Sequence, residues 1–106
     1  MILNILGQDY DYGQCSCKED TRLADTDGYM DGTVKIIRVN NDFNENHPSS
    51  IRDFDVFKKK IIRHEIIHAF FEESGLYRYK EDELVVDWIA KQFSKMLKVF
   101  QQVEAL

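Results

Sequence analysis

The sequence predicts an α+β fold: a small antiparallel or mixed sheet from the first half of the chain, packed on a helix that carries two histidines and on a C-terminal helix. Three observations predict it. The single proline, Pro48, separates a turn-rich, β-patterned part (1–47) from a two-helix part (48–106). That second part contains two long stretches whose apolar residues recur at three- and four-residue intervals. At 106 residues the chain has room for one core, so 1–106 reads as a single domain.

Each element has a local reason. Ile2, Leu3, Ile5 and Leu6, then Gly7, then Tyr10 and Tyr12 read as a strand, a turn and a returning strand. Asp27-Gly28 and Asp31-Gly32 read as tight turns bracketing Tyr29-Met30, and Thr33 to Val39 is the best strand in the chain. Asn40 to His47 reads as a polar loop. Ser50-Ile51-Arg52-Asp53 resembles a capping box with Asp in place of Glu, so the first helix is expected to start near Ser50. It should end at Ser74, because Gly75 suits the left-handed residue that closes a helix and Leu76 the apolar contact that accompanies it. The second helix is expected near Lys80 or Glu81, with Glu81, Asp82 and Glu83 in a first turn where the dipole favours negative charge. Its apolar positions Val85, Trp88, Ile89, Phe93, Met96, Leu97 and Phe100 are expected in the core.

Composition narrows the function classes. Hydrophobic content of 43% with 31% charged residues suits a soluble globule, and no apolar run approaches the ~20 residues that cross a bilayer. Met1 to Leu6 lacks the basic flank and length of a signal peptide, so a cytoplasmic location and no membrane partner are expected. A net charge of −5 argues against nucleic acid as a partner. Lys58-Lys59-Lys60 with Arg63 reads as a solvated helix face. Cys15 and Cys17, in Cys-x-Cys, are expected as free thiols, since a disulfide between residues so close would be strained.

The chemistry concentrates in His64-Glu65-Ile66-Ile67-His68. On a helix, positions four apart stack on one face, so both imidazoles can reach one ion. Glu65 sits one residue round from His64, placed to take a proton from a metal-activated water without being a ligand. The histidines are two of only three in the chain and are flanked by Ile61, Ile62, Ile66, Ile67, Ala69, Phe70 and Phe71, a run expected to be buried. Burial makes an unpartnered imidazole pair costly, which favours a metal site over a chance pairing.

Three protein ligands are usual for catalytic zinc, so a third is needed. Phe71 and Ser74 stand where the extended metzincin pattern has Gly and His, which excludes that pattern. Glu83 and Asp87, four apart on the second helix, share one face, and either carboxylate is a candidate. Ala90 and Ser94 continue their row and are small enough for close packing on the first helix. Glu72 also lies four residues beyond His68, although on the same helix it is expected to point past the ion. His47 and Tyr29 are the candidates outside the helices for stabilising an oxyanion.

A His-Glu-x-x-His helix followed by Glu-x-x-x-Asp resembles the gluzincin branch of zinc metallopeptidases. The strand-turn-strand start, Asp27-Gly28-Tyr29-Met30-Asp31 and Glu83 to Ala90 are similar to the small ImmA/IrrE-type phage-associated metallopeptidases. The resemblance implies a minimal zincin-like fold, Zn2+ held by His64, His68 and Glu83, and Asp87 orienting a ligand histidine. It also implies that Glu65 serves as catalytic base and that the Thr33–Val39 strand lies over the active helix as an edge for an extended substrate. Hydrolysis of a peptide or protein substrate is the leading expectation. The alternative is a zinc-holding module that contacts a host or phage protein without turnover.

Overall fold

Residues 1–42 and 53–106 are described by the structure, a computed structural model. The chain begins with strands β1 (Ile2–Ile5) and β2 (Gln8–Cys15), joined by Leu6 and Gly7 at φ 51° and 93°. Positive φ at both central residues is what a tight hairpin needs to match strand twist. Asn4 Oδ1 accepts from the Gly7 N–H at 3.0 Å and fixes the turn.

Strands β3 (Gly28–Asp31) and β4 (Ile36–Asn40) complete a four-stranded sheet in the order β1-β2-β4-β3. β4 runs parallel to β2 and antiparallel to β3, which makes the sheet mixed. The expected turns at Asp27-Gly28 and Asp31-Gly32 are corrected in part: the first opens strand β3, and only the second leads into a turn. The cause is the Asp31 carboxylate, which accepts from the Thr33 N–H at 3.0 Å and the Thr33 hydroxyl at 2.6 Å. That turn takes in Thr33, Val34 and Lys35, so the strand expected from Thr33 starts at Ile36. β4 is also interior. The edge beside the helices belongs to β3, because β4 has β2 and β3 on its two sides.

Helix α1 (Phe54–Ser74) starts with Asp53 as its cap, the carboxylate accepting from the Val56 N–H at 3.1 Å. Asp53, expected inside the first turn, is therefore its start, while Pro48, Ser50 and the boundary between the two parts lie outside the described residues. The end agrees with expectation: Gly75 has φ 82°. Helix α2 (Glu83–Gln102) begins two to three residues later than expected because Asp82 is the cap, accepting from the Val85 N–H at 3.2 Å.

The core joins Ile5, Tyr10 and Ile37 of the sheet to Ala69 of α1, with Leu3, Tyr12, Met30 and Ile66 packed around them. Two burial expectations fail. Of the apolar run around the histidines only Ala69 is buried, and Phe70 is exposed. In α2 only Val86 and Ala90 are buried, while Trp88, Phe93, Met96 and Phe100 are exposed. Helical periodicity identifies an apolar face, but covering all of it needs more layers than this chain supplies. Cys15 and Cys17 are free thiols. Among the described residues no helix is long and apolar enough to cross a membrane.

Candidate metal centre

The helical spacing of His64 and His68 places their rings edge to face with centroids 4.9 Å apart. Their Nε2 atoms lie 3.2 Å from each other. Glu83, the first residue of α2, closes the group: its two oxygens stand 2.8 Å from His64 Nε2 and 2.9 Å from His68 Nε2. One donor atom from each of the three residues falls within 4.8 Å of the others.

The roles of the nitrogens follow from their outer contacts. His68 Nδ1 lies 2.5 Å from the Lys80 carbonyl oxygen, which can only accept, so Nδ1 carries the proton. In the neutral ring, Nε2 then offers a lone pair to the group's centre. His64 Nδ1 faces Asp87 Oδ1 at 3.5 Å, the same arrangement more loosely made. Two imidazole lone pairs and a carboxylate thus converge on one point, and a donor set of this kind suits a cation. Ligand atoms around a tetrahedral zinc are roughly 3.3 Å apart at Zn–N distances of ~2.0–2.1 Å. The two nitrogens meet that value at 3.2 Å, and Glu83 turns a different oxygen to each of them, at 2.8 and 2.9 Å.

Glu65 is 7% exposed and His68 9%, whereas Glu83 is two-thirds exposed at its side chain. Burial pushes the Glu65 carboxyl up to about 7, with the charge of Glu83 adding to the effect. The site opens into a cleft of about 680 Å³ walled by α1, β3 and the start of α2. β3 approaches α1 this closely because Gly28 has no side chain: a methyl there would stand 3.0 Å from Ile61 Cγ2 and 3.2 Å from Glu65 Cγ.

The remaining candidates divide. Asp87 lies beside the ligands but is shared, with Lys91 Nζ at 2.9 Å and Lys60 Nζ at 3.5 Å. The Lys91 bond, helped by Lys60, holds its carboxyl below the usual range. Glu72 lines the cleft outside the three-residue group, against Gly32 and 3.3 Å from Lys80 Nζ. Tyr29 is on the cleft wall, but its hydroxyl donates to the Asp20 carboxylate and its ring lies 3.9 Å beneath the Arg22 guanidinium. Burial and the bond to Asp20 raise that hydroxyl to about 12. His47 lies outside the described residues.

Sequence reasoning did not anticipate the Lys80 carbonyl, since any residue supplies one and no side chain marks it. Nor did it anticipate the Arg22–Asp31 pair at 3.1 Å on the cleft wall, which links a short 3-10 turn (Thr21–Ala24) to the sheet edge. In comparisons with protein-family profiles, curated proteins and solved structures, the chain matched none of them.

Proposed function

We propose that the chain is a zinc-dependent hydrolase of peptide bonds, in which His64, His68 and Glu83 hold the metal and Glu65 handles the proton. One observation carries this reading: three donors converge at one point on an open cleft, with a buried carboxylate on the next residue after His64. The resemblance to gluzincins and to ImmA/IrrE-type metallopeptidases agrees with it. The same donors also accept other divalent ions, but two imidazoles and a carboxylate are a common catalytic zinc set.

When bound, zinc supplies Lewis acidity, polarising a carbonyl oxygen and lowering the pKa of a water toward ~7. The Glu65 carboxylate accepts a proton from the attacking water and delivers it to the departing amine nitrogen. The Lys80 carbonyl keeps His68 Nδ1 protonated and so directs Nε2 to the ligand side, and Asp87 steadies His64. Alongside, the outer edge of β3 offers backbone groups to an extended peptide.

The test combines metal analysis with cleavage. Protein purified without added metal should carry about one zinc per chain, and it should cut members of a peptide library in a chelator-sensitive, zinc-restored reaction. Glu65→Gln should keep the metal and lose cleavage by about 100-fold or more. Absence of metal, or full activity in Glu65→Gln, overturns the assignment; metal without cleavage leaves a zinc-holding interaction module.

A further inference from the structure

Along α2 and into the residue that caps it, the side chains Val86, Ile89, Phe93, Met96, Phe100 and Val103 recur at alternating intervals of three and four. That spacing keeps one seam turned toward a partner helix. Among the described residues, the seam is covered at its start. Val86 and neighbouring Ala90 are fully buried, and Arg63 Nε donates to the Ala90 carbonyl at 2.7 Å. Further along, Phe93 is 49% exposed, Phe100 42% and Val103 67%.

Beside the covered part, an apolar groove of about 390 Å³ runs between the helices, with Ile67 and Phe70 on the α1 wall and Ile89 and Phe93 on the α2 wall. The groove shares no lining residue with the cleft at His64 and His68. One chain therefore presents both a groove and an apolar helix end of matching chemistry.

Length and charge select the occupant. Met96 lies seven residues from Ile89 at the groove and seven from Val103 at the far end of the seam, about 10 Å along the axis in each direction. A two-fold axis at Met96, relating two antiparallel α2 helices, sets the Phe100–Val103 end of each over the groove of the other. Such an arrangement is closed and uses the same surface twice. Lys91, Lys95 and Lys98 stand off the seam, and the flanking Ala90, Gln92, Leu97 and Val99 are uncharged. Two copies thus meet without opposing like charges. Phe93, Met96, Val99, Phe100 and Val103 leave roughly 400–500 Å² of exposed surface per chain, the size of the largest patch on many monomers and often a functional one. With the groove walls, complete coverage would bury on the order of 1,200 Å² in the pair, the lower end of specific interfaces.

We propose that the chain forms a two-fold homodimer in which the α2 helices pair antiparallel about Met96 and each Phe100–Val103 end fills the other chain's α1–α2 groove. Sedimentation of the whole chain over a concentration series should give twice the 12.5 kDa of one chain. Phe100→Glu should weaken the dimer by about 100-fold or more with an unchanged circular dichroism spectrum, because it buries an unpaired charge. Lys98→Glu, off the seam, should leave the dimer intact. If Phe100→Glu fails to fold, crosslinking decides: with Cys15 and Cys17 replaced by Ser, Met96→Cys should form an inter-chain disulfide and Lys91→Cys should not. A wild-type chain that stays monomeric at about 100 µM overturns the proposal. So does a dimer indifferent to Phe100→Glu, a crosslink at Lys91→Cys in place of Met96→Cys, or a monomer whose α2 face binds phospholipid vesicles.

Discussion

The two sides of α1 solve opposite problems. On the cleft side, His64, Glu65 and His68 are polar groups drawn into a largely buried setting, the two imidazoles held by Glu83 and the Lys80 carbonyl. On the groove side, Ile67 and Phe70 are apolar groups left partly in water. The first side places desolvation cost where convergent donors can offset it with a bound cation. The second leaves a hydrophobic contribution unrealised until another surface arrives. In the two proposals above, each side is completed by a binding event.

Removing a ligand should break the contrast most strongly. His68→Ala should lower zinc affinity by more than about 100-fold, read by calorimetry or by loss of zinc-induced thermal stabilisation. Asp87→Asn, which meets the three-residue group at the rear of His64, should cost about 10–100-fold. Next comes Gly28→Ala, which sets a methyl against Ile61, the Arg38 carbonyl and Glu65 Cγ at 3.0–3.2 Å. Chemical denaturation should show a loss of about 1–3 kcal/mol, because these neighbours include backbone and packed side chains. Gly32→Ala should cost less, since the atom it meets is the end of the Glu72 side chain.

Acid should act through Glu73, which accepts from Lys35 Nζ at 2.6 Å and the Tyr10 hydroxyl at 2.7 Å. The Lys35 bond, followed by that from Tyr10, holds its carboxyl below the ordinary 4.5. A folded-state value below the unfolded one stabilises the fold above pH 4.5, and that contribution is lost as pH falls through the depressed value. Glu73→Gln should flatten this part of a melting-temperature profile below pH 4.5 while leaving the metal cleft unchanged. The smallest effect belongs to the groove side: Phe70→Ala should cost monomer stability under about 1 kcal/mol in denaturation, far below a buried phenylalanine, because the side chain is already exposed.

What the sequence disclosed follows the range of the interactions. His64, Glu65 and His68 were legible because one helical turn brings them together, and the close of α1 at Gly75 because a left-handed residue is a local requirement. Glu83 was legible as one of two carboxylates on a helix face; choosing it over Asp87 depended on how two helices meet, which spacing alone does not encode. β3 was hidden by its own glycine. Gly28 signals a turn in isolation, yet here it serves close approach to α1, a contact formed with residues more than thirty positions away. The seam on α2 was visible as periodicity, and its exposure was not, because a pattern names the face and not the surface that covers it.

The bond from His68 to the Lys80 carbonyl has an evolutionary consequence. Its acceptor belongs to the main chain, so no exchange of side chain at position 80 can delete it. The imidazole is aimed by the path of the connection after Gly75, where Tyr79 N–H bonds to the Leu76 carbonyl and Asp82 N–H to that of Tyr79, each at 3.0 Å. Point substitutions there are buffered, whereas inserting or deleting a single residue would rotate the acceptor away and turn His68 with His64, His68 and Glu83 all unchanged.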